Sequence, residues 1–439
     1  MITNDNKKLA QWAMDFALKN GCQASRVSLY KGSNCSFEVR DMKIDRLTQA
    51  SESSLVIHLY AGGRYGSFST NRLEKSELEK FIQNGIDSTR YLAVDQARTL
   101  PNPSLYYKGG GKDLELTDPR FDAVNPDEKK DLALKVCHEI MGKDARIISA
   151  SSSYSDDKSA SYMVASNGFE GEKSSSAYTL AGSVSIKGEG EARPESYWYD
   201  SAVFLSKLVK EGIGTKALER VLRKIGQRKT ASGKYTMVVD NMNSAQLVSP
   251  IISAMYGASI QQKNSFLLGK LSSKVLGENV TLTDEPHLTG KRGARYFDSE
   301  GLRTSRMPLF EKGVLKNYYF DTYYANKLAT EPTIGSPSIL TIGMGDKNTD
   351  ALVASTGKGI LVTGFNGGNS NSSTGDFSYG VEGFLIENGT LAQPISEMNI
   401  TGNIITLWNN LAETGNDVRE SSSWRIPSLV FEGVDFSGL

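Results

Sequence analysis

The sequence predicts an α+β protein in which N-terminal helix-plus-antiparallel-sheet domains precede a mostly β C-terminal domain. Three observations lead there. A helix, a set of strands with period-two alternation and a second helix occur in that order twice before residue 230. Beyond it, Lys312-Gly313 and Asn388-Gly389 sit between short apolar runs as hairpin signals. Glycine becomes dense from Gly335 onward, which suits irregular connections between strands.

The first helix is marked by Leu9, Trp12, Ala13, Phe16 and Ala17 at helical spacing, with Asn20-Gly21 as its stop. Across residues 24–70 the period falls to two: Val27 and Leu29, Phe37 and Val39, then Leu55, Ile57 and Leu59 alternate with polar residues. That pattern predicts an antiparallel meander with a turn at Gly62-Gly63. Leu78, Phe81, Ile82 and Ile86 predict a second helix, closing a first domain at residues 1–93. Residues 94–125 carry Pro101, Pro103, Gly109-Gly110-Gly111 and Pro119, and read as a linker that is open to proteolysis. Asn125-Pro126-Asp127-Glu128 then opens a helix with an Asn cap, Pro in the first turn and Glu128 placed for a capping box. Leu132, Val136, Ile140 and Met141 form its apolar stripe. Strands are expected at 146–154, 160–165 and 177–187, with Asn167-Gly168 as a hairpin turn. A long helix over about 202–225, interruptible at Gly212-Ile213-Gly214, completes a central domain at 126–229. The C-terminal domain, 230–439, begins with a strand at 235–239 and a helix at 243–256, with small helices near Tyr323 and Leu407.

Fifty basic and fifty acidic residues cancel. The most basic run, 207–229, is interrupted by Glu211 and Glu219 and reads as a solvated helix face, so direct nucleic-acid binding is not expected. Only Cys22, Cys35 and Cys137 occur, which points to reduced thiols. The N-terminus has no apolar h-region, and no run approaches the roughly 20 apolar residues of a membrane helix. A cytoplasmic protein without a membrane partner is the expectation.

The segment 363–403, TGFNGGNSNSSTGDFSYGVEGFLIENGTLAQPISEMNITGN, is the most distinctive stretch. Its glycines leave backbone N–H and C=O groups uncovered, a surface suited to an extended peptide backbone; a long disordered loop is the competing reading. "TGDFSYGVEGFLIENG" followed by "PISEMNITGN", with "ARYFDSEGLRT" at 294–304, resembles the TldD/PmbA family, whose members are often labelled modulators of DNA gyrase. The resemblance implies an α+β protein of cytoplasmic peptide proteolysis, in a family with zinc-bearing and zinc-less chains.

The zinc-bearing kind carries His-Glu-x-x-x-His on a helix, and a later cysteine as third ligand. Here the aligned helix reads Ser249-Pro250-Ile251-Ile252-Ser253-Ala254, and no cysteine follows Cys137. Neither serine, proline nor alanine serves as a zinc ligand of that kind. His58, His138 and His287 are scattered. His138-Glu139 has Gly142 and Lys143 where a second histidine would stand, and reads as a helix-face pair. No Gly-x-Ser-x-Gly elbow or Walker motif occurs, Gly343-Met344-Gly345 lacks the third glycine of a dinucleotide fingerprint, and two Ser-x-x-Lys matches carry no supporting context. Asp156-Asp157 reads as a solvated turn, and Tyr197-Trp198-Tyr199 as strand-edge packing or an interface anchor.

By resemblance, then, the chain is a non-catalytic, zinc-less subunit. It would hold no cofactor itself and pair with a zinc-bearing TldD-like sibling that cleaves unfolded and small peptides. Asn366, Gly367, Gly368, Thr374, Gly375 and Asp376 are the substrate-guiding candidates; no catalytic or metal residue is expected. A stand-alone homodimeric peptide binder, a gyrase-associated regulator and a hydrolase with an unrecognised site are the alternatives.

Overall fold

A computed structural model describes residues 1–438. Helix α1 (Asn4–Lys19) ends at Asn20, where its stop was expected, and begins ahead of the apolar pattern, with Thr3 and Asn6 exchanging side-chain and backbone bonds as a capping box. Strands β1 (Ala24–Arg40), β2 (Lys43–Ala61) and β3 (Arg64–Thr70) form the meander, and α2 (Lys75–Thr89) covers it. Helix α3 (Pro126–Ile140) is capped by Asn125, whose Oδ1 accepts from the Asp127 N–H at 2.9 Å. Glu128 does not close the expected box; it pairs with Lys210 at 3.5 Å instead. Then come β4 (Ile147–Ala165), β5 (Phe169–Ile186), β6 (Glu195–Ala202) and α4 (Ile213–Leu222).

Two expectations fail here for physical reasons. The two strands expected at 146–154 and 160–165 are one, because Asp156 is not a turn residue. It is buried, accepts from the Tyr154 hydroxyl at 2.7 Å and pairs with Lys129 at 2.6 Å, so its charge is satisfied inside the sheet. The helix expected over about 202–225 exists only beyond its expected interruption, from Ile213, where its N-terminal N–H groups find a cap from another element. The Glu139 carboxylate accepts from Gly212 N, Gly214 N and Thr215 N, which also gives the His138-Glu139 pair its structural role.

The six strands make one sheet in the order β3-β2-β1-β4-β5-β6. Strand β1 pairs with β4 from Arg26↔Ala165 to Arg40↔Ser151, so the ladder runs on past residues 94–125. That expected loose linker is strapped down: Tyr106, Leu114 and Phe121 are buried, and Asp118 accepts from Tyr178 and the Leu205 N–H.

The remainder comprises β7 (Gly233–Val239), α5 (Ala245–Met255), α6 (Gly257–Gln261), β8 (Leu282–Asp284), β9 (Met307–Glu311), β10 (Val314–Leu315), α7 (Thr322–Lys327) and β11 (Leu340–Ile342). After these come α8 (Thr349–Ser355), β12 (Lys358–Ser370), β13 (Asp376–Glu387), β14 (Thr390–Asn403), α9 (Ile404–Asn409), β15 (Leu411–Thr414), β16 (Trp424–Arg425) and β17 (Leu429–Ser437). One sheet runs β10-β9-β8-β11-β16 and the other β14-β13-β12-β7-β17-β15. Because β14 also pairs with β17, through Ile400↔Phe436, the second sheet closes on itself. The Lys312-Gly313 and Asn388-Gly389 hairpins form as predicted, with positive φ at all four residues. The fold is α+β, as the alternating patterns and hairpin signals indicate.

The 294–304 block joins the two halves. Phe297 packs on Phe169 and Tyr107, Glu300 lies 3.6 Å from the buried Arg26 of β1, and Asp298 accepts from the Glu300 and Leu302 N–H groups. No helix among the described residues is long and apolar enough to cross a membrane.

Candidate functional site

The start of α5 is fixed by a buried carboxylate. Asp240, at the end of β7, accepts from Asn243 N (3.1 Å) and Asn243 Nδ2 (2.6 Å), and pairs with Arg220 of α4 at 3.3 Å. Burial raises its pKa above the ordinary carboxylate value, against the pull of Arg220 and Asn243. Arg220 and Asn243 also donate to the Thr363 carbonyl, at 3.2 and 2.9 Å. One cluster therefore ties α4, α5 and β12 together. Trp198 sits against the cations of Arg220, Lys216 and Arg419, while Tyr197 beside it remains exposed. The aromatic triplet thus divides its roles between packing and surface.

This anchoring leaves a groove of about 490 Å³ between α5 and β12. Gln246 and Ser249, one helical turn apart, face it from α5; Phe365, Gly367 and Gly368 face it from β12; Tyr197 and Trp424 stand at its sides. Two backbone features open onto it. Pro250 lies inside α5 and has no N–H, so the Gln246 carbonyl lacks its usual helical donor. Strand β7 pairs with β12 only from Gly359 to Val362, so among the described residues no strand occupies that edge along residues 364–370.

The sequence candidates separate. Gly367 and Gly368 line the groove, and Asn366 lines an adjoining cleft with Arg220, Lys224 and Glu382. Thr374, Gly375 and Asp376 form the β12–β13 turn, away from the groove. There Asp376 accepts from Asn403 and Thr374, which hold its pKa below the ordinary value. The disordered-loop alternative does not hold: Gly368, Asn369 and Ser370 pair with Tyr379, Ser378 and Phe377. Gly368 owes its identity to close approach, since a Cβ there would lie 2.1 Å from the Ser378 carbonyl oxygen. Gln246 was not foreseen, and Ser249 stood out only as part of the block aligned with the zinc motif, not as a groove residue; the uncovered backbone expected of the glycine tract is found as a strand edge along 364–370.

The donor set does not suit zinc. Of the block at 249–254, Pro250, Ile251, Ile252 and Ala254 are buried in the core, and among the described residues no imidazole, thiol or carboxylate lines the groove. Among the described residues no three His, Cys, Asp or Glu side chains gather as a metal site would require. His58 bonds Tyr65 at 2.7 Å, and burial drives its pKa down to about 3; His287 bonds Thr304; His138 is an exposed residue of α3.

Three models of PmbA/TldA metallopeptidase domains match the chain: domain 1 over residues 26–89, the central domain over 119–225 and the C-terminal domain over 232–438. A Bacteroides thetaiotaomicron crystal structure, described as a proposed modulator of DNA gyrase, is similar over 100% of both chains, with 64% identity and a TM-score of 0.99. The Escherichia coli O157:H7 protein named metalloprotease PmbA is 26% identical over 98% of this chain and 97% of its own length. TldE of Thermococcus kodakarensis superposes with a TM-score of 0.86 at 20% identity, covering 98% of this chain and 100% of its own, a likeness of fold. The class is thus that of metallopeptidase-like α+β chains. The chain belongs to the PmbA/TldD family.

Proposed function

We propose that this chain is the non-catalytic, zinc-less member of a two-chain peptidase. It guides extended peptides toward a zinc-bearing TldD-like sibling, and the groove between α5 and β12 is the guiding surface. The observation that carries this reading is the groove's composition: a free strand edge and a helix carbonyl without its usual i+4 donor, with no group among the described residues able to hold zinc or act as a nucleophile's base. An extended peptide presents repeating N–H and C=O groups, so it can bond to such an edge with little sequence preference. Hydrolysis at neutral pH needs an activated water, which the sibling's zinc would supply.

The test mixes the purified chain with a His-Glu-x-x-x-His sibling and follows cleavage of an unstructured peptide. The chain alone is inactive, and the mixture is more active than the sibling alone. Ser249→Trp fills the groove from a helix position that tolerates a side chain, so it lowers turnover by the mixture while the two chains still co-purify. Cleavage by this chain alone, or full activity of the Ser249→Trp mixture, overturns the reading.

A further inference from the structure

Residues 108–112 read Lys-Gly-Gly-Gly-Lys and wall a second cavity, of about 540 Å³, that shares no lining residue with the α5 groove. Lys108, Lys112 and Arg303 line it together with His287, Tyr107 and Tyr296, and among the described residues no carboxylate does. Among the described residues none of those three cations has an ion-pair partner, in a chain whose charges otherwise balance. Three unneutralised charges around one concavity focus a positive potential there.

The loop itself is built as a donor surface. Gly109, Gly110 and Gly111 hold φ of 85°, 86° and 103°, a run that side chains would resist. Two tyrosines pin it from within: Tyr107 Oη donates to the Gly110 carbonyl at 2.6 Å, and Tyr296 Oη donates to the Lys112 carbonyl. The N–H groups from Lys108 to Lys112, by contrast, find no acceptor among the described residues. Two of the loop's carbonyls are thus occupied, and all five of its N–H groups stay open to a ligand that accepts hydrogen bonds. Beside the loop, the Tyr107 and Tyr296 rings stack 5.2 Å apart and are backed by Phe297. This gives the cavity an aromatic wall.

We propose that this cavity binds a phosphate monoester bearing a planar ring, with the phosphate against the glycine loop and its cations and the ring against Tyr107 and Tyr296. A phosphomonoester brings close to two negative charges and three acceptor oxygens, a better match to three cations and a row of N–H groups than a single carboxylate. The cavity has the volume of an organic-ligand pocket rather than an ion site.

Phenyl phosphate, inorganic phosphate and benzoate are titrated into the full-length chain by calorimetry. Phenyl phosphate binds most tightly, inorganic phosphate more weakly for want of the ring, and benzoate more weakly for want of charge. Lys112→Ala and Arg303→Ala, at exposed side chains without ion-pair partners, each weaken phenyl phosphate by about tenfold or more with unchanged thermal melts. Lys143→Ala, an exposed lysine away from the cavity, leaves binding as it was. The proposal is overturned if phenyl phosphate shows no saturable binding, if benzoate binds as tightly, or if Lys143→Ala costs as much as Lys112→Ala. None of these outcomes bears on peptide cleavage.

Discussion

Alanine at Gly367 and at Gly368 should have unequal effects, and the inequality measures whether the glycine tract is a hairpin. Gly367 has φ of 82° and open space where a Cβ would go, so Gly367→Ala meets only left-handed backbone strain, about 1–2 kcal/mol. Gly368 has φ of 103°, and its Cβ would also lie 2.1 Å from the Ser378 oxygen and 2.6 Å from Tyr379 Cα. Both are backbone atoms of β13, so relief requires the strands to separate. Overpacking of that kind adds about 1–3 kcal/mol, bringing Gly368→Ala to about 2–5 kcal/mol. Amide hydrogen exchange reads this locally, where a global melt of a chain this size need not be two-state. At about 1.4 kcal/mol per factor of ten, β13 amides opposite Gly368 exchange about tenfold faster in Gly367→Ala and about 30-fold or more faster in Gly368→Ala. Equal acceleration in the two variants, or none in Gly368→Ala, would refute the paired hairpin and restore the open loop.

Three further outcomes follow from buried or bridged charges and thiols. Arg26→Met strands Glu300 in the junction between the sheet and the 294–304 block; breaking such a pair costs about 3–5 kcal/mol, visible as a lower melting midpoint, and Arg26→Met with Glu300→Gln recovers part of it because Gln can still accept from Thr322 N. Arg425, and with it Lys291, holds the Glu420 carboxyl down to about 2, below its ordinary 4.5. Its folded-state pKa is the lower one, so the stabilisation is present above about 4.5 and is lost as pH falls toward about 2; melts of the wild type should decline more steeply across that window than those of Glu420→Gln, and parallel curves would exclude the bridge. With a thiol reagent at pH 8, half-exposed Cys35 reacts first, while buried Cys22, its thiol pushed up to about 11, and buried Cys137 wait for unfolding; mass mapping that finds Cys22 labelled first contradicts the packing.

Local chemistry was the legible part of the sequence. The Thr3 cap lay beyond the apolar pattern, but the Asn125 cap, the Asn20-Gly21 stop and the Asn388-Gly389 turn each act within a few residues, and the structure keeps them. What the sequence concealed was long-range satisfaction of polar groups. Asp156 reads as a turn until Lys129 and Tyr154 are placed beside it, and Gly212-Ile213-Gly214 reads only as a possible interruption until Glu139 from α3 is seen to cap a helix there. The site divides in the same way. Gly367 and Gly368 stood out by composition, whereas Gln246 and Ser249 became groove residues only once Asp240 and Thr363 had fixed α5 against β12. Thr374, Gly375 and Asp376 shared the composition of the tract but serve its turn.

The single ladder that joins β1 to β4 also sets an order of events at the ribosome. Arg26 is synthesised long before its partner Ala165, and at about 5–20 residues per second the wait is on the order of ten seconds. Throughout that interval α1, α2 and the first three strands can assemble, yet β1 offers a bare edge along its whole length, the kind of surface that recruits another nascent chain. Any fragment ended between α2 and α3 would keep that edge for its lifetime. The N-terminal unit is therefore better regarded as half of a sheet awaiting completion than as a piece that can be expressed on its own.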